Sequence, residues 1–353
     1  MLSQAARDTY NLPMDTLRIA LLGAGTVGSG FVKLLGEQRD RFRALGLEPT
    51  LTGILVRDPS KKRPSWIPRG LLSDDVGRML AEADVVVELM GGTKTAKRLT
   101  LAALGEGLPV ISANKALLAE HWSELKPYVL EGLLYYEASV MAGTPVIEPL
   151  SGALRGNNAL EIHGILNGST NYIIGRMEEG LDFSQALAEA QAKGFVEEDP
   201  FLDIGGVDAA HKLAILARLT VDPDYPWRDV RENTRGIQEL ARDHIYAAES
   251  EGKKIRLVAS LFPQGGSWKT AVRPVMLPAS HPLAGAALSH NALLYRGDAV
   301  GDVLISGGGA GSTVTASAVI GDLLRMLEGY PGHPPLPAAI PAPSYQTEVF
   351  EEI

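Results

Sequence analysis

The chain has 353 residues, and its 33 lysines and arginines against 42 aspartates and glutamates give a formal charge of −9. This acidic balance argues against a nucleic-acid partner, which requires a surplus of basic groups on at least one face. The sequence contains no cysteine, which excludes disulfides, cysteine-ligated zinc, iron–sulfur clusters and thiolate nucleophiles. No apolar run approaches the roughly 18 residues of a membrane span, and the first 15 residues lack the apolar region of a secretory signal. We therefore expect a two-domain cytoplasmic protein without a nucleic-acid or membrane partner.

The first half of the sequence alternates apolar, strand-like runs with helical patterns, as a parallel α/β sheet does. The strand-like runs lie at 17–22, 50–56, 83–89, 108–112 and 133–138, and the helical patterns at 27–35, 94–105 and 121–131. Continuous apolar runs are typical of strands that are buried on both faces. They predict an α/β fold with a Rossmann-type, doubly wound parallel sheet, forming a dinucleotide-binding domain over residues 1–147.

Beyond about residue 150 the regular alternation is lost. Strand-like runs lie at 160–166 and 255–261, and helical patterns at 184–193 and 208–219. They predict a second, α+β domain for substrate binding and dimerisation over residues 148–305. Residues 306–353 are expected to return to the first domain, with a glycine-rich stretch at 306–311, a helix at 313–327 and an irregular, proline-rich arm.

Gly23, Gly25 and Gly28 form a GxGxxG pattern between the first strand-like run and the helical pattern that follows it. In this context the first glycine makes a tight turn, the second lets the backbone approach a pyrophosphate, and the third lets the helix pack closely on the strand. The helix N-terminus then faces the phosphate charge. The pattern predicts dinucleotide binding, and the alternative is a glycine-rich turn without function.

The end of the second strand-like run bears on which nicotinamide nucleotide is bound. An acidic residue there favours NAD, whereas an arginine accommodates the 2′-phosphate of NADP. Arg57 and Asp58 stand at this point, followed by the basic group 61–63. This favours NADP(H) and leaves NAD(H) possible, since Asp58 can instead hold a ribose hydroxyl and the basic group can be a solvated loop.

A dense group of carboxylates precedes a lysine in the second half of the chain. Five carboxylates fall within twelve positions, and the lysine follows on the next helical pattern: Glu197, Glu198, Asp199, Asp203 and Asp208, then Lys212. Asp208 and Lys212 stand four residues apart and project from one helix face. The simplest interpretation is an ordinary helix salt pair. A partly desolvated lysine among carboxylates can instead serve as a general acid for a carbonyl oxygen.

Two further segments offer polar groups for a substrate. Lys115 follows the fourth strand-like run, at the carboxyl end of the sheet, where ligands collect in such folds. Thr170 lies in the segment NGSTNY (167–172), whose hydroxyls and amides suit a substrate with an amine and a carboxylate. The alternative for this segment is a helix start capped by Thr170 or Asn171.

These segments resemble the homoserine dehydrogenase family. The resemblance rests on the signature at 192–212, NGSTNY at 167–172, ANK at 113–115, HPLA at 281–284 and GGAGSTVTASAV at 308–319, which follow one another in family order. It implies reversible reduction of L-aspartate 4-semialdehyde to L-homoserine in threonine, methionine and isoleucine biosynthesis, by a homodimer. We expect a short form without an ACT-type regulatory domain or an aspartate kinase.

The resemblance also implies roles for individual residues. Lys212 corresponds to the catalytic acid/base, Lys115 to a second lysine near cofactor and substrate, and Asp203 to a residue next to the reacting centre. Substrate contacts are expected from Glu197, Asp208, Thr170 and Lys115. Cofactor contacts are expected from Gly23, Gly25, Thr26, Val27, Gly28, Arg57, Gly91, Thr93, Lys115 and Gly311. A monovalent cation, usually Na⁺, would be held mainly by backbone carbonyls of Glu137, Val140, Ala142 and Thr144, in a loop where many relatives carry glycine at the position of Met141.

Two other classes of protein remain as alternatives. A 2-hydroxyacid dehydrogenase would use His163 or His211 as its acid/base. A non-catalytic nucleotide-sensing module would use the glycine loop and leave the carboxylates and Lys212 without a chemical role. Short-chain dehydrogenases are excluded, because no tyrosine here has a lysine four residues further on.

Overall fold

The computed structural model describes residues 15–196, 199–286 and 288–353. Its internal contacts divide the chain into two compact units. The first unit contains the described residues up to Leu117, together with His121–Ser139 and Gly311–Pro334. The second unit contains the described residues of Leu118–Glu120, Val140–Ala310 and Pro335–Ile353.

Twelve strands and fourteen α-helices are found within the described residues. The strands are β1 (Asp15–Leu22), β2 (Leu47–Leu55), β3 (Leu72–Ser73), β4 (Val85–Glu88), β5 (Val110–Ser112), β6 (Leu134–Tyr135), β7 (Ala159–Ile165), β8 (Lys253–Gln264), β9 (Ser267–Pro278), β10 (His290–Gly297), β11 (Gly301–Gly308) and β12 (Glu351–Glu352). The helices are α1 (Thr26–Glu37), α2 (Arg39–Ala44), α3 (Val76–Ala81), α4 (Lys94–Gly105), α5 (Lys115–Glu120), α6 (Trp122–Leu130), α7 (Ile147–Ser151), α8 (Gly168–Glu178), α9 (Phe183–Ala192), α10 (Phe201–Ile204), α11 (Val207–Thr220), α12 (Trp227–Glu232), α13 (Arg242–Ser250) and α14 (Ser312–Leu327). Short 3₁₀ turns lie at Arg69–Leu71, Glu137–Ser139, Ala153–Gly156 and Pro282–Gly285.

The first unit is built on a parallel sheet with the strand order β3-β2-β1-β4-β5-β6. This order is that of a doubly wound dinucleotide-binding sheet, in which ligands bind at the carboxyl ends of the strands where the order reverses, here between β1 and β4. The predicted Rossmann-type sheet is therefore confirmed. Only β3 has no counterpart in the sequence analysis, because Leu72 and Ser73 do not belong to a longer apolar run.

Helices α1 and α14 pack together on this sheet. A side chain at Gly30 would place its Cβ 2.6 Å from the backbone oxygen of Ser312, so glycine permits the close approach. The Ser312 hydroxyl donates a hydrogen bond of 2.7 Å to the carbonyl of Thr26. The first turns of the two helices are thus joined directly.

The second unit contains an antiparallel sheet with the strand order β11-β10-β7-β8-β9-β12. The α+β character of this region was predicted, but only β7 and β8 were anticipated. Strands β9, β10 and β11 intersperse charged, proline or glycine residues with apolar ones, and these interruptions hide a strand from a search for continuous apolar runs. The stretch 306–308, expected to be a glycine-rich loop, is the end of β11.

The C-terminal part of the chain is divided between the two units. Residues 311–334 belong to the first unit, and residues 306–310 and 335–353 belong to the second. The backbone N–H of Ile340 donates to the carbonyl of Val221 over 2.8 Å, and the Trp268 indole donates to the carbonyl of Ile340 over 3.0 Å. Strand β12 then pairs with β9. These backbone hydrogen bonds, which no local pattern reveals, attach the arm to the second unit.

Helix α11 is enclosed on every side within the second unit. Each residue from Asp208 to Thr220 is buried, although five of these thirteen residues are Asp, His, Lys, Arg and Thr. Gly206 precedes the helix with a φ of 77°, in the left-handed region that favours glycine. The turn between α10 and α11 therefore depends on a glycine, and Lys212 follows it on a buried helix.

Among the described residues we find no helix that is both long and apolar enough to cross a membrane.

Candidate active site

The glycine loop joins β1 to α1 with the geometry expected of a dinucleotide-binding turn. Gly23 has a φ of 105°. A Cβ at Gly28 would lie 2.1 Å from the carbonyl oxygen of Gly23, so the helix can pack this closely only without a side chain. A Cβ at Gly25 would meet no atom within 4 Å. Gly25 therefore borders open space at the N-terminus of α1, next to the exposed Thr26 and the half-buried Val27.

The other predicted cofactor residues follow the carboxyl ends of strands in the same sheet. Arg57 comes two residues after β2, and Gly91 and Thr93 come after β4, with Thr93 at the start of α4. Lys115 is half-buried and is the first residue of α5, after β5. Gly311 precedes α14, whose first turn is hydrogen-bonded to Thr26. The first unit thus brings these residues to the edge of the sheet where ligands bind in such folds.

The carboxylate of Asp58 is engaged by its own turn. Its Oδ1 accepts hydrogen bonds from the Ser60 hydroxyl at 2.6 Å and from the Ser60 backbone N–H at 2.8 Å. These two bonds, the hydroxyl bond first, hold the pKa of Asp58 below its ordinary value. Arg57 beside it is exposed. The Asp58 carboxylate is therefore hydrogen-bonded within its own turn, whereas the Arg57 guanidinium lies at the surface.

Glu88, at the end of β4, is a buried carboxylate that the sequence analysis missed. It is 0% exposed, accepts a hydrogen bond of 2.6 Å from the Ser112 hydroxyl, and accepts one of 2.8 Å from the backbone N–H of Met90. Ser112 in turn accepts from the N–H of Asn114, whose side-chain amide donates to the carbonyl of Gly92 over 2.9 Å. Glu88 thus ties together the two loops that carry Gly91, Thr93 and Lys115.

Burial raises the pKa of Glu88 to about 7 from 4.5, against the opposing effect of its hydrogen bonds. The folded state therefore binds this proton more tightly than the unfolded chain. The stabilising contribution is complete below about pH 4.5 and is lost as the pH rises through about 7.

We expect Glu88→Gln to gain stability relative to the wild type as the pH rises, by about 3 kcal/mol between pH 4.5 and 8. Urea unfolding across this range measures the gain, with Glu106→Gln as the surface control. A difference that does not change with pH would contradict a raised pKa of Glu88 in the folded state.

In the second unit, the ammonium group of Lys212 lies in a buried hydrogen-bond network. Its Nζ donates to the Asp208 carboxylate over 2.8 Å and to the carbonyl of Leu166, just after β7, over 2.5 Å. Lys212 and Asp208 are each only 7% exposed. The predicted pairing on one helix face is confirmed. The ordinary helix salt pair that the spacing suggests is present, but it is buried because α11 is enclosed by the fold.

Asn167 connects this pair to a second carboxylate. Its side-chain amide donates to Asp208 over 2.8 Å and to Asp203 over 2.7 Å, and its Oδ1 accepts from the backbone N–H of Thr170 over 2.7 Å. Asn167 is therefore the N-cap of α8, three residues earlier than the sequence analysis considered. Two of the five predicted carboxylates, Asp203 and Asp208, are thus hydrogen-bonded to the same amide, and Asp208 also contacts Lys212 directly.

Thr170 and the other carboxylates of the predicted group have different surroundings. Thr170 is buried in the first turn of α8, where its hydroxyl donates to the carbonyl of Asn167 over 3.0 Å. Asp199 accepts from the backbone N–H of Phe201 at the start of α10. Glu197 and Glu198 lie outside the described residues.

The two histidines of the alternative dehydrogenase have partners of their own. His211 adjoins Lys212 in sequence, but its ring stacks on Trp227 with centroids 4.7 Å apart, and its Nε2 lies 3.0 Å from a Glu120 oxygen. His163, on β7, lies 2.9 Å from the Ser260 hydroxyl. Neither pair includes Lys212, Asp208 or Asn167, so these contacts give the hydroxyacid dehydrogenase alternative no support.

The segment predicted to hold a cation contains two non-glycine residues in the left-handed region. Met141 and Ala142 have φ values of 58° and 56°, which are uncommon for residues with a Cβ and strain the backbone. Glu137 lies in the first unit, whereas Val140, Ala142 and Thr144 lie in the second. The Thr144 hydroxyl donates to the carbonyl of Gly308. A glycine at position 141 would adopt this left-handed backbone without the strain that a Cβ imposes.

Comparisons with known proteins were made for the whole chain. Residues 23–127 match the family model described as "Homoserine dehydrogenase, NAD binding domain", and residues 145–324 match the one described as "Homoserine dehydrogenase". The homoserine dehydrogenase of Bacillus subtilis is 36% identical over 321 residues, covering 89% of this chain and 74% of that protein.

Solved structures agree with this result. The crystal structure of a homoserine dehydrogenase from Thiobacillus denitrificans has a TM-score of 0.82 at 34% identity, with 89% of this chain and 74% of that chain covered. A hyperthermophilic archaeal homoserine dehydrogenase in complex with NADPH has a TM-score of 0.73 at 27% identity, with 90% and 99% covered. The chain therefore belongs to the homoserine dehydrogenase family of oxidoreductases, with a domain that binds a nicotinamide nucleotide.

Proposed function

We propose that this chain reduces L-aspartate 4-semialdehyde to L-homoserine, reversibly, with Lys212 as the general acid/base. The observation that carries the proposal is the buried contact of Lys212 with Asp208, extended through Asn167 to Asp203. A buried ammonium among carboxylates is suited to proton transfer and to binding an amino-aldehyde, and a nucleotide-sensing module has no use for it.

When bound, the nicotinamide nucleotide would supply the hydride that reduces the aldehyde carbon, and in the reverse direction it would accept the hydride from the alcohol carbon. Lys212 then donates a proton to the aldehyde oxygen, so that one hydride and one proton convert the aldehyde to the alcohol. The Asp208 carboxylate and the Leu166 carbonyl stabilise the ammonium form of Lys212 and fix the direction of its N–H bonds. This fixed donor favours the transition state, in which negative charge develops on the oxygen.

The carboxylates provide a binding site for the amino group of the substrate. Hydrogen bonds from Asn167 bring Asp208 and Asp203 together, and carboxylate oxygens are acceptors that suit an ammonium group. Glu197 is proposed to join them, and Thr170 and Lys115 to contact the substrate, as the family resemblance implies. Asn167 holds the two aspartates in place and is a positioning residue.

We also propose that NADP(H) is preferred over NAD(H). The Asp58 carboxylate is engaged by Ser60, whereas Arg57 is exposed beside it and suits a 2′-phosphate. The relative that was crystallised in complex with NADPH gives the preference further support. The nucleotide would contact the glycine loop, Gly91, Thr93, Lys115 and Gly311.

Three features rest on the family resemblance alone. Backbone carbonyls of Glu137, Val140, Ala142 and Thr144 would hold a monovalent cation such as Na⁺. The second unit would provide the interface of a homodimer, and the protein would act in the cytoplasm.

Two glycines of the loop should respond differently to alanine. Gly25→Ala places a Cβ in open space, so we expect little change in the stability of the free protein. It should weaken NADPH binding by about tenfold or more, equivalent to about 1.4 kcal/mol, because the methyl group stands where the backbone must approach the pyrophosphate. Gly28→Ala drives a Cβ against Gly23 and should destabilise the first unit by about 1–3 kcal/mol. Calorimetric NADPH titration and thermal unfolding separate the two effects. Wild-type NADPH affinity in Gly25→Ala would contradict a pyrophosphate site at this loop.

The proposed reaction is tested by following nicotinamide absorbance with L-aspartate 4-semialdehyde, using NADPH and NADH in parallel. We expect turnover with both nucleotides and a higher kcat/KM for NADPH than for NADH. Binding of NADPH without turnover of the semialdehyde would overturn the proposal and favour the nucleotide-sensing alternative.

A further inference from the structure

One face of the second sheet is covered by the end of the chain, residues 345–353, which we call the tail segment. The Thr347 hydroxyl donates to the carbonyl of Pro263 over 2.9 Å, and the N–H of Glu348 donates to Glu161 over 3.1 Å. Phe350 packs edge-on against the rings of His163 and His281, with centroids 4.7 and 5.6 Å away. The tail segment therefore encloses a patch of titratable side chains on strand β7.

Three of these side chains converge. Glu161 and His163, two residues apart on β7, face the same side of the sheet, and Glu348 reaches them from the tail segment. One potential metal-binding atom from each lies within 4.8 Å of the other two. Glu161 and His163 are 0% and 1% exposed. None of the three residues takes part in the reaction proposed above.

The polar atoms in this patch are incompletely satisfied by the described residues. His163 Nε2 and Glu348 Oε2 are both buried, and neither has a hydrogen-bond partner of good geometry among the described residues. Buried polar atoms in proteins nearly always have such partners, and an orphaned one often marks a bound water or ion. Two such atoms in one patch, beside the buried carboxylate of Glu161, indicate that the patch binds something.

The hydrogen bonds around His163 favour metal coordination by Nε2. Its Nδ1 lies 2.9 Å from the Ser260 hydroxyl, which can accept the Nδ1 proton and leave the Nε2 lone pair directed at Glu161. Histidine ligands characteristically donate their second ring N–H in this way, which fixes the tautomer. The distance from His163 Nε2 to Glu161 Oε2 is 3.4 Å, close to the separation of about 3.4 Å between ligands in a tetrahedral zinc site.

The charges of the patch also favour a dication. Three carboxylates, of Glu161, Glu348 and Asp302, surround the single guanidinium of Arg296. This leaves two negative charges when the imidazoles are neutral. Arg296 donates to Oε1 of Glu161, whereas Oε2 accepts the N–H of Glu348 and lies 3.4 Å from His163 Nε2.

We propose that Glu161, His163 and Glu348 bind a divalent first-row transition cation, with Zn²⁺ as the best match, which fixes the tail segment on the sheet. Imidazole and carboxylate ligands in this number suit Zn²⁺. An adjoining cavity of about 220 Å³, lined in part by His163, Ser260 and Glu348, has room for a water molecule as the fourth ligand.

His281 supports this site without being a ligand. Its Nδ1 accepts the backbone N–H of Leu283 over 3.2 Å, which places the proton of the neutral ring on Nε2. Nε2 lies 3.3 Å from Glu348 Oε1 without forming a hydrogen bond of good geometry, and the other Glu348 oxygen is left for the cation.

The test uses the full chain without a histidine tag, first dialysed against a chelator and then titrated calorimetrically with ZnCl₂. We expect one equivalent to bind in the wild type, and binding to weaken about 100-fold or more in His163→Gln and in Glu348→Gln. Glu351→Gln serves as the matched control, since Glu351 lies in the same tail segment but pairs with Lys253. Because Glu348 lies at the edge of the patch, its variant should fold even if His163→Gln does not.

Hydrogen exchange supplies a second readout that is independent of catalysis. Zn²⁺ should slow amide exchange in residues 345–353 of the wild type and of Glu351→Gln, but not of Glu348→Gln. Co²⁺ in place of Zn²⁺ should give the visible absorption bands of a four-coordinate site. Absence of a bound equivalent, or an equivalent that Glu348→Gln retains at wild-type affinity, would overturn the proposal and indicate surface binding only.

Discussion

Replacing Lys212 with alanine is expected to lower kcat for semialdehyde reduction by about 10²–10⁴-fold, the range for loss of a positioned general acid. The physical reason is that Lys212 presents a buried, charged N–H donor whose partners, Asp208 and the Leu166 carbonyl, fix its direction. Water in the vacated space cannot reproduce this arrangement. Steady-state rates with NADPH at saturating semialdehyde measure the effect, and Lys212→Met repeats the test with the side-chain length retained.

The neighbouring residue on α11 provides the control for Lys212. His211 is equally buried but lies against Glu120 and Trp227, so His211→Gln should retain most of the activity. Calorimetry should show NADPH binding to Lys212→Ala that is close to the wild type, because the glycine loop belongs to the first unit. Full activity in Lys212→Ala, or an equal loss in His211→Gln, would contradict the role of Lys212.

Replacing Asp208 with alanine is expected to destabilise the protein by about 3–5 kcal/mol, the range for breaking a buried ion pair from one side. Lys212 would then keep a buried charge with the Leu166 carbonyl but without the carboxylate that lies 2.8 Å from its Nζ. The variant should also lose activity, since the same carboxylate orients the ammonium group. Urea unfolding followed by circular dichroism measures the stability change.

A second substitution separates the charge effect from simple loss of packing. The double variant Asp208→Ala with Lys212→Met removes both charges of the pair together, so much of the lost stability should return. Glu82→Ala is the control for an exposed pair at the same four-residue spacing, because Glu82 and Arg78 are half or more exposed, and it should change stability little. A double variant no more stable than Asp208→Ala would show that the unpaired charge is not the cause.

The nucleotide-binding half of the fold was predictable because its signals are local. Gly23, Gly25 and Gly28 lie within six residues, and continuous apolar runs such as 83–89 mark strands buried on both faces. Local signals do not reveal the role of Glu88, because a single carboxylate at the end of an apolar run resembles any last residue of a strand. Its link to Ser112 depends on the neighbouring position of β4 and β5 in the sheet.

The candidate site in the second unit was only partly predictable. The four-residue spacing of Asp208 and Lys212 predicted their contact, because helix geometry alone places them on one face. That the pair is buried follows from the enclosure of α11, which depends on distant elements. Asn167 joins two carboxylates 36 and 41 positions away in sequence, and no local pattern indicates such a link. The position of residues 335–353 depends likewise on pairing with Val221 and β9.

The most direct test of the account compares two substrates of the unmodified protein. L-aspartate 4-semialdehyde carries the amino group that Asp208, Asp203 and Glu197 are proposed to bind, whereas succinate semialdehyde has the same chain without it. The account predicts NADPH-dependent reduction of the amino-aldehyde, with kcat/KM lower by about 10²-fold or more for the analogue, because the analogue lacks the ammonium group that these carboxylates are proposed to bind. Equal kcat/KM values for the two aldehydes, or no reduction of either, would contradict it.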